Sequence, residues 1–204
     1  MIVIVDYGAG NLRSVLNATN RLGYQAKITS TARDLVTAPV VILPGVGAAA
    51  ASMANLKRLG LVDSIRHFVA EGRPFLGVCI GLQLLFTGTE EGGWHECLGI
   101  IHGVVRRLPQ SLKIPHMGWN QLKQRTSHPV FRGIPDEADF YFSHSFHAEP
   151  EDTSVVAGTT SYGVSMCSMI VKDNLIATQF HPEKSGEYGL KMYANFLRIA
   201  SSMA

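Results

Sequence analysis

Apolar positions along the chain change period as it proceeds, and the changes predict where strands and helices fall. Ile2–Val5 is a short β-branched run. After it Leu12, Val15, Leu16, Thr19 and Leu22 recur at helical spacing, predicting a helix over 11–22. Residues 25–28 and 40–43 read as the next strands, and the second ends in Pro44-Gly45-Val46-Gly47 before an Ala-rich helix. A helix near 61–70 carries Ile65, Phe68 and Val69 on one face. Residues 74–78 predict a fourth strand, running through Cys79-Ile80-Gly81 into a helix that reaches Phe86.

From about Gly88 the pattern changes. Strands near 104–107, 140–143, 154–159 and 166–171 follow without comparable helices. Lys172-Asp173-Asn174 reads as a hairpin turn into 175–179, and an amphipathic helix over 188–199 closes the chain. Continuous apolar strands alternating with helices predict a sheet covered on both faces. The expected fold is α/β: an open, mixed, mostly parallel central sheet with helices on both faces. No repeat or low-complexity linker divides it, so residues 1–204 read as a single domain.

Composition narrows the function classes. With 204 residues, 46% hydrophobic and 17% charged, the chain is of the folded, core-forming kind. A net charge of +2 without runs of one sign argues against a nucleic-acid or anionic-membrane binder. The longest small-and-apolar stretch, 38–54, is interrupted by Pro39, Pro44, Gly45 and Gly47, so no spanning helix is expected. Met1 to Val5 carry no basic leader and meet Asp6 at once, so no signal peptide is expected. Cys79, Cys97 and Cys167 are odd in number and do not form a disulfide framework, which points to the reducing cytosol.

Gly77-Val78-Cys79-Ile80-Gly81 is G-x-C-x-G at a strand-to-helix junction, the thiol version of a nucleophile elbow. The nucleophile of such a turn is lifted above the carboxyl edge of the sheet, and the residues two away must lack Cβ for strand and helix to approach. The helix that follows aims its positive end at sulfur and favours thiolate. Taken alone, Cys79 reads equally well as a buried structural cysteine. Cys97 and Cys167 have no such setting and read as packing residues.

Gln179-Phe180-His181-Pro182-Glu183 closes the last apolar run. Residues two apart lie on one side of an extended chain, and Pro182 biases His181 away from the helical region. Glu183 is therefore expected to hold one imidazole nitrogen while the other faces outward as a base. Alone, His-x-Glu reads as a strand-end histidine beside an incidental carboxylate. Beside the elbow, it supplies the activator that a thiol of pKa about 8.5 requires.

These motifs, with Pro44-Gly45-Val46-Gly47, resemble the class I glutamine amidotransferases, and the resemblance runs from Ile2 to the last helix. It implies a flavodoxin-like fold, a single type 1 amidotransferase domain, Cys79 as nucleophile, His181 as base and Glu183 as its orienter. Oxyanion donors would be the backbone N–H groups of Ile80 and Val46, with the Val46 donor facing away until a partner binds. Gly47, Gln83, Glu91, Ser145 and Phe146 would hold the substrate. Tyr7-Gly8-Ala9-Gly10-Asn11-Leu12, Ile114-Pro115-His116-Met117-Gly118-Trp119-Asn120 and Tyr141-Phe142-Ser143-His144-Ser145-Phe146 are similar to the branch of glutaminase subunits of imidazole glycerol phosphate synthases. Phe146 stands where that branch often has Tyr, a mild change at a position that offers backbone groups.

The same resemblance implies a partner. One amidotransferase fold uses up the whole length, and ammonia released into neutral water would mostly be protonated, so a second chain must dock over the site. It would be a (β/α)8-barrel cyclase making imidazole glycerol phosphate and an aminoimidazole carboxamide ribotide. Asn11, Arg13, Trp119, Asn120 and Lys184 lie in the matching motifs as interface candidates. Lys184 would pair with a barrel carboxylate, and Trp119 reads equally as a core residue or a gate. No cofactor is implied.

Three other readings are weaker. Gly8-Ala9-Gly10 hints at a dinucleotide fingerprint, but Arg13 occupies the third glycine position. His144 and His147 are three apart on one expected strand and would point to opposite faces, and His95 and Cys97 lack a second pair, so no metal is expected. A Cys-His hydrolase of peptidase or chaperone type on the same fold is the serious rival. It would need neither Gln83 nor the Pro-His-Met-Gly-Trp-Asn string.

Overall fold

The β-branched run at the N-terminus is buried at every position, as a strand covered on both faces must be. In the computed structural model, which describes residues 1–202, it forms β1 (Ile2–Val5). There follow α1 (Leu12–Arg21), β2 (Ala26–Thr29), α2 (Ala32–Thr37), β3 (Val41–Leu43), α3 (Ala49–Arg58), α4 (Val62–Ala70), β4 (Phe75–Val78) and α5 (Ile80–Gln83). The second half contributes β5 (Phe86–Thr89), β6 (His95–Glu96), β7 (Ile101–Arg107), β8 (His116–Gln124), β9 (Ala138–His144) and β10 (Phe146–Pro150). The chain ends with β11 (Val156–Tyr162), β12 (Val164–Lys172), β13 (Leu175–Thr178) and α6 (Gly186–Ser201).

The described residues form a mixed sheet whose main path runs β2-β1-β3-β4-β13-β12-β10-β7-β5-β6. From β2 to β13 every pairing is parallel. The residues immediately after β1, β3, β4 and β13 therefore emerge on one carboxyl edge, where open α/β sheets place their sites. β12 turns antiparallel to β13 and carries β11, which pairs with β8, which pairs with β9. Aromatic packing brings this extension over the parallel core: Phe180 lies 4.3 Å from Phe140 and 5.6 Å from Phe142, between ring centroids.

Several sequence expectations are corrected here. The helix after the elbow does not reach Phe86: α5 is a single turn, and Phe86 opens β5. Leu82, Leu84, Leu85 and Phe86 are all fully buried, so their run has no period to separate helix from strand. His144 and His147 do not share a strand, because β9 ends at His144 and β10 begins at Phe146. The strand expected over 154–159 begins with a 3-10 turn (Thr153–Val155) and extends to Tyr162. Glu183 does not lie on extended chain, since Pro182–Lys184 is a 3-10 turn.

Candidate active site

Cys79 sits between β4 and α5 with φ 55° and ψ −105°, a conformation that L-residues avoid unless the surroundings enforce it. Flanking glycines allow the enforcement. A Cβ at Gly77 would lie 2.9 Å from the Gly81 carbonyl oxygen, and one at Gly81 would run into the Leu43 carbonyl. Both absences follow from the steric reason for G-x-C-x-G. The Cys79 N–H donates to the Thr178 carbonyl at 2.7 Å, tying the elbow to β13.

Cys79 is only 2% exposed, yet it lines a pocket of about 210 Å³. Val46, Gly47, Ile80, Gln83, Glu91, Ser145, Phe146, His181 and Lys184 share that lining, with Pro115, Ser143 and His144. The oxyanion and substrate-holding candidates, the Cys-His pair and one interface candidate thus meet around a single hollow; Glu183 stands behind His181. The thiol lies 3.8 Å from the Ser143 carbonyl, and the Gln179 side-chain amide donates to the sulfur at 3.8 Å.

His181 is 2% exposed, and its Nδ1 lies 2.8 Å from Glu183 Oε1, whose side chain is also buried. The other ring nitrogen is left for the sulfur. Burial of the ring works against its charge, but Cys79 and Glu183 together outweigh burial and raise the imidazolium pKa to about 10. The backbone is fixed as firmly: His181 N–H donates to the Tyr141 carbonyl at 2.9 Å, and the Ser185 hydroxyl donates to the His181 carbonyl at 2.6 Å. Such an arrangement can hold a thiolate beside an imidazolium and deliver the proton to a leaving group.

Around residues 44–47 the first peptide is clamped and the tip is open. The Tyr7 hydroxyl, buried just beyond β1, donates to the Pro44 carbonyl at 2.9 Å. A Cβ at Gly45 would collide with that hydroxyl and with Ile80 Cβ at 2.6 Å. Val46 is exposed, and Gly47 takes φ 90°. Ile80 opens α5, so its N–H has no partner within the helix and is free for an oxyanion.

The substrate candidates are already partly engaged. The Gln83 amide nitrogen donates to the Phe146 carbonyl at 2.9 Å and to Gln179 Oε1 at 3.1 Å, which uses both its protons. Glu91 Oε2 accepts from Ala49 N–H at 2.7 Å, capping α3 across the mouth of the pocket. Gly8 and Gly10 take φ of 84° and 126° in the turn before α1, a conformational reason for the glycine pair.

Among the interface candidates, Arg13, Trp119 and Lys184 are exposed and Asn11 and Asn120 are half-buried. Trp119, 58% exposed, is no core residue. Its ring meets Tyr141 edge-on at 6.1 Å, and Lys184 Nζ stands 5.8 Å above the same Tyr141. Sequence reasoning quoted Gln179 and Tyr7 within motifs but gave neither a role. The first was legible as a polar residue closing an apolar run, one strand period before His181; the second reaches Pro44, 37 residues away, a contact no local pattern encodes.

A strained thiol elbow, a carboxylate-braced imidazole and a glycine loop on the carboxyl edge of a parallel sheet define an amide-cleaving thiol enzyme. The chain belongs to the class-I glutamine amidotransferase family, whose pattern matches residues 3–200. Within it, the chain is similar to the imidazole glycerol phosphate synthase subunit HisH of Dehalococcoides mccartyi, 57% identical over 98% of both chains. It is also similar to the subunit of that name from Moorella thermoacetica, 50% identical over 96% of this chain and 93% of the relative. Solved structures share the fold: a glutamine amidotransferase at TM-score 0.78, 21% identical, covers 98% of this chain and 100% of its own. PurLQS from Thermotoga maritima, also at 0.78 and 19% identical, covers 97% of each.

Proposed function

We propose that this chain is the glutaminase subunit of an imidazole glycerol phosphate synthase, hydrolysing glutamine and passing ammonia to a cyclase subunit in histidine biosynthesis. The observation that carries the chemistry is the buried Cys79–His181–Glu183 constellation on the rim of a hollow sized for a small amide. Relatives matched along almost the whole chain support the pathway.

In the reaction, the Cys79 sulfur attacks the side-chain carboxamide carbon of glutamine, and the carbonyl electrons move onto oxygen. Ile80 and Val46 N–H groups receive that oxyanion, a donor of this kind being worth about 3 kcal/mol of barrier. His181, holding the thiol proton, gives it to the departing nitrogen, and ammonia leaves as the C–N bond breaks. Water then adds to the thioester with His181 as base, glutamate departs, and the thiol is restored. Glu183 keeps the ring's orientation throughout. Gly47, Gln83, Glu91, Ser145 and Phe146 form the walls that grip the amino-acid end of glutamine.

The partner is a (β/α)8-barrel cyclase seated over the pocket mouth, with Asn11, Arg13, Trp119, Asn120 and Lys184 at the contact. The exposed Trp119 and Met117 support an apolar anchor there. Co-expression with a cyclase subunit, followed by glutamate release and formation of the imidazole product from glutamine, tests the reading. Rapid turnover in the pair, abolished by Cys79→Ala, is expected. Peptidase activity of the chain alone, or no glutamine turnover in the pair, would overturn it.

A further inference from the structure

Beyond the catalytic groups, a chain of hydrogen bonds runs from β8 into the pocket wall. Register places His116 of β8 opposite His144 of β9. His116 Nδ1 lies 2.9 Å from His144 Nε2, and His144 Nδ1 lies 2.8 Å from the Phe146 carbonyl oxygen. On the outer side, Asn120 Nδ2 lies 3.2 Å from His116 Nε2 and donates to the Ser161 carbonyl at 3.0 Å.

Acceptor-only groups at both ends fix every proton. A backbone carbonyl cannot donate, so His144 must carry its proton on Nδ1 and accept at Nε2. His116 must then donate from Nδ1 and accept the Asn120 amide at Nε2. The Phe146 carbonyl also receives Gln83, whose second proton goes to Gln179 Oε1, leaving the Gln179 amide nitrogen to face sulfur. Burial keeps both rings uncharged, holding His116 down at about 4 and His144 at about 3. A proton added to His144 would also set N–H against N–H and break the chain.

We propose that His116 and His144 are positioning residues: a neutral, one-directional relay that fixes the Phe146 carbonyl and with it the wall on which glutamine binds. The proposal rests on the glutaminase reading above. Gln83 keeps its own bond to that carbonyl if the relay fails, so the sulfur is little affected and the loss falls on substrate binding.

His116 also packs between Phe142 and Tyr162, at 4.8 and 4.0 Å between ring centroids. Two substitutions therefore separate relay from packing. His116→Asn keeps a donor near the Nδ1 position but gives up the ring, whereas His116→Leu keeps apolar bulk and has no donor.

Both variants are assayed for glutamine hydrolysis in the complex with the cyclase. The relay requires His116→Leu to raise glutamine KM about tenfold, the scale of one lost hydrogen bond, with kcat within about threefold. His116→Asn should keep KM within about threefold of the parent. A packing role gives the opposite order; that order, equal KM values, or a loss confined to kcat would overturn the proposal.

Nitrogen-15 histidine spectra of the unsubstituted chain supply a readout independent of turnover and of variant folding. Both rings should appear as neutral Nδ1–H tautomers near neutral pH, and an Nε2–H tautomer at either ring would overturn the relay. A parent complex that does not hydrolyse glutamine counts against the glutaminase reading, while the spectra still decide the relay.

Discussion

Replacing Glu183 with glutamine isolates what a buried charge does for the imidazole. The amide keeps the 2.8 Å acceptor beside Nδ1 but removes the negative charge from a side chain that is almost wholly buried. A charge-assisted hydrogen bond is about twice as strong as a neutral one, a difference of about 1.5 kcal/mol. One pKa unit is about 1.4 kcal/mol, so the His181 midpoint, raised to about 10 in the parent, should fall by about one unit. As the base in thioester hydrolysis the ring is weaker, and the imidazolium it forms is stabilised less by the same amount, so kcat should drop about tenfold with glutamine KM nearly unchanged.

Stability should follow the same sign. Folding raises this pKa, so the contribution is complete below the unfolded value of about 6.5 and is lost as pH rises through about 10. The stability gap between parent and Glu183→Gln should thus be large near neutral pH and close in strong alkali. Histidine NMR titration, denaturant melts at several pH values and steady-state kinetics of the complex measure the three quantities. An unmoved His181 midpoint, or a gap that widens toward alkali, would refute the reasoning.

Three other expectations use separate contacts. Gly81→Ala drives a Cβ into the Leu43 carbonyl and should cost about 3 kcal/mol, lowering the melting temperature by about 9 °C in a chain of this size. Glu91→Gln weakens the cap on α3 and should remove about 1 kcal/mol of stability by denaturant melt; a rise in glutamine KM as well would add a substrate contact to the cap. Val46→Pro deletes one backbone donor and should lower kcat by about 10²-fold or more while isotopically labelled glutamine still binds; unchanged kcat would remove Val46 from the oxyanion site.

The parallel half of the fold was readable because β1, β3, β4 and β13 are buried at every position and its helices are amphipathic. The elbow was readable because strain there demands glycine at fixed positions. The antiparallel extension was not. β8 alternates buried and exposed residues that are largely polar, so the Pro-His-Met-Gly-Trp-Asn string stood out as a motif and not as a strand. The Glu183 contact was expected for the wrong geometric reason: a tight turn, and not extended chain, closes it. The pairing of His116 with His144 depends on register between strands far apart in sequence, which no local pattern encodes.

Tyr7 sets a boundary on how the amidase can be switched. Its hydroxyl bolts the Pro44 carbonyl to the end of the first strand, and its bulk fills the space beside Gly45. Rotation of the Val46 donor is thereby confined to the two peptides flanking that residue, a crankshaft with glycine at either end. If Val46 is the oxyanion donor as proposed, a docking protein would need only to turn that short crank, leaving the sheet, the sulfur and the braced ring where they stand.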